Sequence, residues 1–171
     1  MEEVVKEAEK KVLEVLSRLN ITWKRYEHPA VFNIEQARVY WKDTGGAHCK
    51  NLFLRNYCGH RHYLVIAKAE KKIDLKKLTA KLAEDHLSFG SAERLQRYLG
   101  VMPGAVSPFG LLNDARKEVM VVVDEDLMSH SSLNFHPNVN TATLEISKAD
   151  FLKFLEWSGQ KVIFLKLEAS D

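Results

Sequence analysis

The spacing of apolar and polar positions predicts a chain in which helices and strands interleave. Apolar residues recur at helical spacing over residues 2–19, which is typical of an amphipathic helix. Five apolar residues follow one another from Val119 to Val123, a run that predicts a strand buried on both faces. Two runs rich in β-forming residues, Asn51–Tyr57 and His62–Lys68, flank a short polar segment and predict a hairpin.

Capping residues set the expected bounds of the other helices. Asn33 stands three residues before Gln36 in the capping-box arrangement, and Asp74, Ser91 and Ser147 are further candidate caps. Helices are therefore predicted at 33–41, 74–84, 91–99 and 147–157, and further strands at 21–27, 118–124, 140–146 and 162–167.

The order of these elements predicts the fold class. No repeat, low-complexity tract or linker interrupts the chain, so residues 1–171 are expected to form a single domain, with an amino-terminal helix over 1–20 and a core over 21–168. The irregular alternation of helices and strands indicates an α+β domain with helices around a mixed sheet. The alternation leaves open whether this curled sheet closes into a barrel.

Composition and charge narrow the function classes only slightly. The chain has 171 residues, of which 46% are apolar and 28% charged, and its net charge is +2. That charge gives weak support for a polyanionic partner, although a local basic patch could still bind one. We expect no membrane span and no secretory signal. The two cysteines do not form a disulfide framework, which favours a reducing, cytoplasmic location.

A metal site and a nucleophilic cysteine are the first chemistries to test. Candidate ligands lie close together in the sequence: His48, Cys49, Cys58, His60 and His62. A strand between Cys49 and Cys58 would hold them about 25–30 Å apart, too far for one zinc ion. We therefore expect no metal. Lys50 could favour a thiolate at Cys49, but a packed, inert thiol is the favoured interpretation.

Other familiar catalytic patterns are missing from the sequence. There is no Gly-x-Ser-x-Gly elbow and no phosphate-binding Gly-x-x-x-x-Gly-Lys-Ser/Thr loop. Chemistry without metal, cofactor or strong nucleophile suits an activated ester. Three polar positions stand beside turns or strand ends: Lys50-Asn51, the Gly104–Pro108 loop and His136. Each also has a plain structural explanation, as a solvated charge, a turn and a capped loop histidine.

An ordered set of motifs resembles the YbaK/ProX family, and its ProX branch in particular. The motifs run from about Tyr26 to Leu167: Glu27-His28-Pro29, Lys50-Asn51-Leu52-Phe53-Leu54, Leu87-Ser88-Phe89-Gly90-Ser91, Glu93-Arg94-Leu95, Leu99-Gly100-Val101, Pro103-Gly104-Ala105-Val106-Ser107-Pro108-Phe109-Gly110-Leu111, Asn113-Asp114, Phe135-His136-Pro137 and Asn140-Thr141. These proteins resemble the editing domain inserted in bacterial prolyl-tRNA synthetases. One such motif alone would mean little, but the ordered set is specific.

The resemblance implies a free-standing aminoacyl-tRNA deacylase that hydrolyses mischarged Ala-tRNA(Pro). By position, Lys50 matches the essential lysine of the family, which would hold the terminal adenosine or its phosphate, and Asn51 would help to place that group. Gly104 begins the G-x-x-x-P loop, whose backbone would position the attacking water, and His136 would lie near the ester. An orienting role for His136 is favoured over proton transfer.

Substrate contacts beyond these residues are expected from the hairpin strand and the loop. The substrate-binding residues predicted in this way are Asn51, Phe53, Val101, Met102, Ala105, Ser107 and Pro108. Such a pocket would act as a second sieve, because proline and alanine differ by too little apolar bulk for one pocket to separate them fully. The segment Trp41–His48 is longer and more polar than expected for the family, so the resemblance does not predict the structure at the mouth of the site.

The expected partner is the acceptor end of tRNA(Pro), with prolyl-tRNA synthetase as a further candidate and no cofactor. Basic residues that could contact tRNA phosphates are Lys71, Lys72, Lys76 and Arg94, although lysine-rich helix faces are often only solvated. Two alternatives stay open: a Cys- or Ser-tRNA deacylase of the same family, and a non-catalytic module that binds tRNA or a synthetase.

Overall fold

An eight-stranded mixed sheet forms the framework of the protein. The structure is a computed structural model that describes residues 2–170. Its strands are β1 (Lys24–Glu27), β2 (Ala47–Asn56), β3 (His62–Lys68), β4 (Leu87–Phe89), β5 (Val119–Asp124), β6 (Ser132–Phe135), β7 (Ala142–Ser147) and β8 (Val162–Leu165). Its α-helices are α1 (Glu2–Arg18), α2 (Ile34–Arg38), α3 (Leu75–Lys81), α4 (Ala92–Leu99) and α5 (Lys148–Ser158). The predicted α+β class with a mixed sheet is confirmed.

The strand order is β1-β7-β6-β2-β3-β5-β8, with β4 paired to β2 outside this path. The long strand β2 pairs antiparallel with β3 to form the predicted hairpin. Its other edge meets two short strands, β6 near its start and β4 near its end. The path ends at β1 and β8, and no pairing within residues 2–170 joins these two strands, so the sheet is open rather than closed into a barrel.

Strand β5 is buried on both faces, as its unbroken apolar run predicts. It lies parallel to β3 on one side and to β8 on the other. Val119, Val121 and Val123 point into the larger of two apolar clusters, whereas Val122 points into the smaller one. Burying a side chain of this size stabilises the fold by roughly 1.5–3 kcal/mol. The two clusters therefore hold β5 rigidly at the centre of the domain.

Capping explains why the helices begin where they do. The side chains of Asn33, Asp74, Ser91 and Ser147 each accept a hydrogen bond from a backbone N–H in the first turn of the helix that follows. Each such cap contributes about 1 kcal/mol. The predicted caps are therefore confirmed. The Asn33 cap matters most for the site, because α2 forms part of the cavity wall described below.

Two short strands were not predicted. The segment that contains β6 reads as a polar loop, and β4 covers only Leu87–Phe89. β4 acquires its conformation by pairing with β2, and β6 by pairing with β7 and β2, so local sequence carries little signal for either strand. No helix within residues 2–170 has the length and apolar character needed to span a bilayer.

Candidate active site

A gap along one edge of β2 coincides with the cavity that holds the candidate site residues. On one edge of β2, the pairing with β6 involves Ala47 and His48, and the pairing with β4 begins only at Leu54. The stretch between them, which includes Lys50 and Asn51, has no strand opposite it on this edge, whereas β3 pairs with it on the other edge. A cavity of about 260 Å³ opens at this stretch.

The cavity brings together residues that lie far apart in the sequence. Lys50 and Asn51 line it from β2, Gly104 and Val106 line it from a loop, and His136 lines it from the end of β6. Lys50, Gly104 and His136, which the sequence analysis singled out separately, therefore share one cavity. The chemical roles predicted for these residues remain predictions.

Lys50 places an amino group in a partly desolvated setting. Burial lowers the pKa of Lys50 below its ordinary value, and no described residue forms an ion pair or hydrogen bond with its amino group. An anion bound beside this group would favour the charged ammonium form and raise that pKa again. Lys50 is thus suited to neutralise a phosphate or a developing oxyanion.

His136 is held in one tautomer by the strand that follows it. Its Nδ1 lies 2.8 Å from the carbonyl oxygen of Ala142. A carbonyl can only accept, so Nδ1 carries the proton and Nε2 keeps its lone pair. Burial is the main cause that lowers the pKa of His136, the hydrogen bond to Ala142 acts in the opposite direction, and the neighbouring His28 lowers it further. A neutral imidazole with a free acceptor nitrogen can orient a water or hydroxyl group.

Gly104 occupies a backbone conformation that favours glycine. Its φ is +90°, and the N–H of Ala105 donates to the carbonyl of Met102 at 3.0 Å, which closes a tight turn around Pro103-Gly104. A Cβ built at Gly104 would meet the Phe32 ring at 3.5 Å, an ordinary contact. Backbone strain rather than lack of space therefore explains the need for glycine here.

Aromatic and histidine side chains that the sequence analysis did not assign complete the wall. His28 stacks on Tyr40 with ring centroids 5.3 Å apart and meets His136 edge-on at 5.9 Å. His48 stacks on Trp41 at 4.2 Å and shares a 2.8 Å hydrogen bond with the Thr44 hydroxyl. All of these residues line the cavity.

The unusual segment Trp41–His48 therefore contributes residues to the cavity wall. Its Trp41 and His48 rings lie nearly parallel, at an interplanar angle of 10°. His28 was noted only as part of one family motif, and His48 only as a candidate metal ligand. The polarity of residues 41–48 was noted, but its place in the cavity wall was not predicted.

Several predicted substrate contacts lie away from the cavity. Phe53 stacks on His62 inside the core, Val101 and Ala105 are buried, and Met102 is 69% exposed. Ser107 caps a 3₁₀ helix, at whose first position Pro108 is buried. None of these six residues is among the described lining residues.

The reason for this difference is where each residue stands along its segment. Phe53 lies beyond Asn51 on β2, next to the pairing with β4, and its ring packs against His62 and Tyr98. In the loop, Val106 rather than Ala105 faces the cavity. The direct contribution of those six residues to binding substrate stays a prediction.

The residues predicted to contact tRNA divide into free and engaged groups. Lys72 and Lys76 are exposed. Lys71 pairs with Asp124 and Asp126, each at 2.6 Å. Arg94 donates to Gly59 O at 3.2 Å and to His62 Nε2 at 2.9 Å. Phosphate contacts therefore suit the first two better than the last two.

The cysteine and metal alternatives gain no support. Burial raises the pKa of the Cys49 thiol to about 12, which makes a thiolate nucleophile unfavourable. Within residues 2–170, no group of three or more histidine, cysteine, aspartate or glutamate side chains is arranged to hold a metal ion.

Comparison with known proteins identifies the family. Residues 28–154 match the aminoacyl-tRNA editing domain. The chain is 42% identical over 153 residues to the prolyl-tRNA editing protein ProX of Acetoanaerobium sticklandii, covering 90% of this chain and 93% of that one. It is 32% identical over 161 residues to the prolyl-tRNA synthetase associated domain-containing protein 1 of Danio rerio, covering 93% and 87% of the two chains.

A solved structure shares the fold at low identity. The crystal structure of a proposed trans-editing enzyme for prolyl tRNA synthetase superposes with a TM-score of 0.71 at 20% identity, over 95% of this chain and 98% of that one. The family match spans the segment that contributes Lys50, Gly104 and His136. The chain belongs to the aminoacyl-tRNA editing domain family.

Proposed function

We propose that this protein is an aminoacyl-tRNA deacylase that releases alanine wrongly esterified to tRNA(Pro), acting in trans. The observation that carries this proposal is the meeting of Lys50, Gly104 and His136 in one cavity within the matched editing domain. The prolyl-tRNA editing protein at 42% identity supports tRNA(Pro) as the substrate.

The reaction is hydrolysis of an ester, in which water attacks the carbonyl carbon and the ribose hydroxyl leaves. Such an ester is already electrophilic, so positioning and charge stabilisation can supply much of the acceleration. The Lys50 ammonium would neutralise the terminal phosphate or the developing oxyanion. The lone pair on His136 Nε2 would orient the water or a ribose hydroxyl, and the turn at Gly104 would hold the attacking water through its backbone.

The cavity supports discrimination by size. Its apolar wall includes Val31, Ile34, Ala37 and Val106, so a small aliphatic side chain can be accommodated without an unpaired polar group. A missing methylene is worth only about 1–3 kcal/mol in a synthetase pocket, which is why a separate site that admits the smaller amino acid improves fidelity. Exclusion of proline would follow from its bulkier ring.

The proposed partners follow from the same reaction. The acceptor end of tRNA would enter the cavity past the exposed ring of Phe32, and Lys72 and Lys76 would add phosphate contacts. Relatives named for association with prolyl-tRNA synthetase support that synthetase as a further partner. A cytoplasmic location, where charged tRNA is used, belongs to this proposal.

The test is a deacylation assay with tRNA(Pro) charged with alanine, serine, cysteine or proline. We expect Ala-tRNA(Pro) to be hydrolysed fastest and Pro-tRNA(Pro) to be spared. Equal hydrolysis of the alanyl and prolyl esters would contradict selection by size. Faster hydrolysis of the cysteinyl or seryl ester would identify a different deacylase of the family, and binding without hydrolysis of any ester would indicate a non-catalytic module.

A further inference from the structure

Two residues that line the cavity, Asn51 and Asn134, each carry a buried amide oxygen to which no described residue donates a hydrogen bond. Asn134 lies on β6, lines the cavity and is only 3% exposed. Its Oδ1 is fully buried, and no described residue donates a hydrogen bond to it. Leaving such a group unpaired is costly, so its persistence in a binding cavity points to a donor supplied from outside the chain.

The orientation of this amide is fixed by its other end. Asn134 Nδ2 donates to the carbonyl oxygen of Gly45 at 2.6 Å and to that of Ala47 at 3.3 Å. Turning the amide over would place Oδ1 against both carbonyl oxygens, which can only accept. The protein therefore presents Oδ1 as a fixed acceptor.

A carboxylate lies on the neighbouring strand at the same level. Asn134 is directly paired with Glu145 in the antiparallel register of β6 and β7. Directly paired residues project their side chains to the same face of the sheet, about 4.5–5.5 Å apart at Cβ. The Glu145 carboxylate accepts hydrogen bonds from Tyr26 and Ser132, both at 2.9 Å, and remains negatively charged.

The field of Glu145 reaches the cavity wall. Burial lowers the pKa of His48, and the negative charge of Glu145 acts in the opposite direction, which places this carboxylate near a lining residue. The cavity wall thus presents a lysine amino group, at Lys50, and a buried acceptor beside a carboxylate, at Asn134. A ligand that is anionic at one end and cationic at the other matches this arrangement.

We propose that Asn134 Oδ1 accepts a hydrogen bond from the α-ammonium group of the substrate amino acid, and that Glu145 favours the positive charge of that group. This inference rests on the proposed function and deepens it. The free amino group distinguishes an aminoacyl ester from any other acyl ester of tRNA. Asn134 and Glu145 would therefore make the enzyme select esters that carry this group.

The experiment compares two esters of the same tRNA(Pro) that differ only at the α position. Alanyl-tRNA carries the ammonium, whereas propionyl-tRNA has hydrogen in its place. The preference is the ratio of kcat/KM for the two esters, measured in wild type and in Asn134→Ala. Comparing this ratio between the two proteins cancels the different intrinsic reactivities of the esters. We expect Asn134→Ala to lower the preference about 10- to 100-fold, the factor of a hydrogen bond to a charged group.

A control and a second variant separate binding from folding. Asn56 is another buried asparagine, 4% exposed, whose Oδ1 accepts from His60 and Arg61 in the hairpin turn. Asn56→Ala should lower stability and leave the preference unchanged. Glu145→Gln keeps the size of the side chain and removes its charge, so it should lower the preference a few-fold, and it serves as the decisive variant if Asn134→Ala does not fold.

The outcomes are distinct. Equal slowing of both esters by Asn134→Ala would show a structural role and overturn the inference while the deacylase activity stands. An unchanged preference in Glu145→Gln would show that the charge of Glu145 does not contribute to recognition of the α-ammonium group. A wild-type protein that hydrolyses neither ester would contradict the proposed function, and the inference would fall with it.

Discussion

Two regions beside β2 each contain a histidine, but one of them forms an open cavity and the other a closed cluster. At one, His136 lines an open cavity beside His28. At the other, His62 is stacked between Phe53 and Tyr98, with ring centroids 5.5 Å and 4.0 Å away. Burial lowers the pKa of both histidines, for His62 to about 4 with the help of the Arg94 charge.

The difference between the regions lies in what fills the space next to each ring. Around His62 the remaining acceptor nitrogen receives a hydrogen bond from Arg94 at 2.9 Å, so the cluster is closed. Around His136 the Nε2 lone pair is left for a ligand. A lowered histidine pKa thus marks burial in both regions, whereas unoccupied volume and unsatisfied acceptors mark only one of them as a site.

The largest effect is expected from Lys50→Ala. Removing the only lysine amino group among the described lining residues should reduce deacylation of Ala-tRNA(Pro) by at least about 100-fold, the usual loss when one charge-stabilising donor is removed. Single-turnover hydrolysis measures this loss. Lys161→Ala, at an exposed position outside the cavity, is the matched control and should retain full activity. Equal activity of the two variants would remove Lys50 from the mechanism.

A smaller loss is expected from Gly104→Ala. The φ of +90° makes alanine strained there, at a cost of about 1–2 kcal/mol, and relaxation of the turn would displace the backbone at the cavity. We expect about 10-fold slower deacylation together with a lower midpoint of thermal unfolding. Gly159→Ala is the control, since its φ is +80° and its surroundings are equally open, but it lies at the end of α5. It should lose similar stability and no activity.

The pH profile tests whether His136 acts in its neutral form. Because burial lowers its pKa, the imidazole stays neutral until the pH falls below the ordinary histidine value of about 6.5. We expect kcat/KM for Ala-tRNA(Pro) to stay constant between pH 7 and about 6.5 and to fall only at lower pH. His136→Asn should lower the rate and abolish this acid limb. An acid limb centred above pH 7 would contradict the assignment.

The smallest effect on activity is expected from His62→Gln, the counterpart in the closed cluster. Deacylation should be unchanged, because His62 does not line the cavity. Stability should respond instead. The folded pKa of about 4 lies below the unfolded value of about 6.5, so unfolding takes up a proton and the wild type loses stability as the pH falls through that window. The variant should show a shallower loss in denaturant titrations from pH 6.5 to 4.

Local sequence signals account for most of the secondary structure. Hairpin strands, the apolar strand β5 and the helix caps at Asp74, Ser91 and Ser147 were all predicted, because each depends on spacing within a few residues. The short strands β4 and β6 were missed, since pairing with β2, and for β6 also with β7, specifies them rather than propensity.

The candidate site shows the same division. Family motifs directed attention to Lys50, Gly104 and His136, and these three residues share the cavity. Motif membership also suggested Phe53 and Ala105, which are not among the described residues that line it. The direction of a side chain depends on the face of the strand or turn that carries it, and this cannot be read from the presence of a motif.

The sequence by itself determined most of the helices and strands, the family and the residue types available for ester chemistry. Only the tertiary structure decided that β2 leaves a gap between β6 and β4, that residues 41–48 wall this gap, and that Asn134 keeps a buried acceptor beside Glu145. Contacts between residues far apart in the chain create such a cavity. Its shape and its unpaired atoms therefore exist only once the strands have paired.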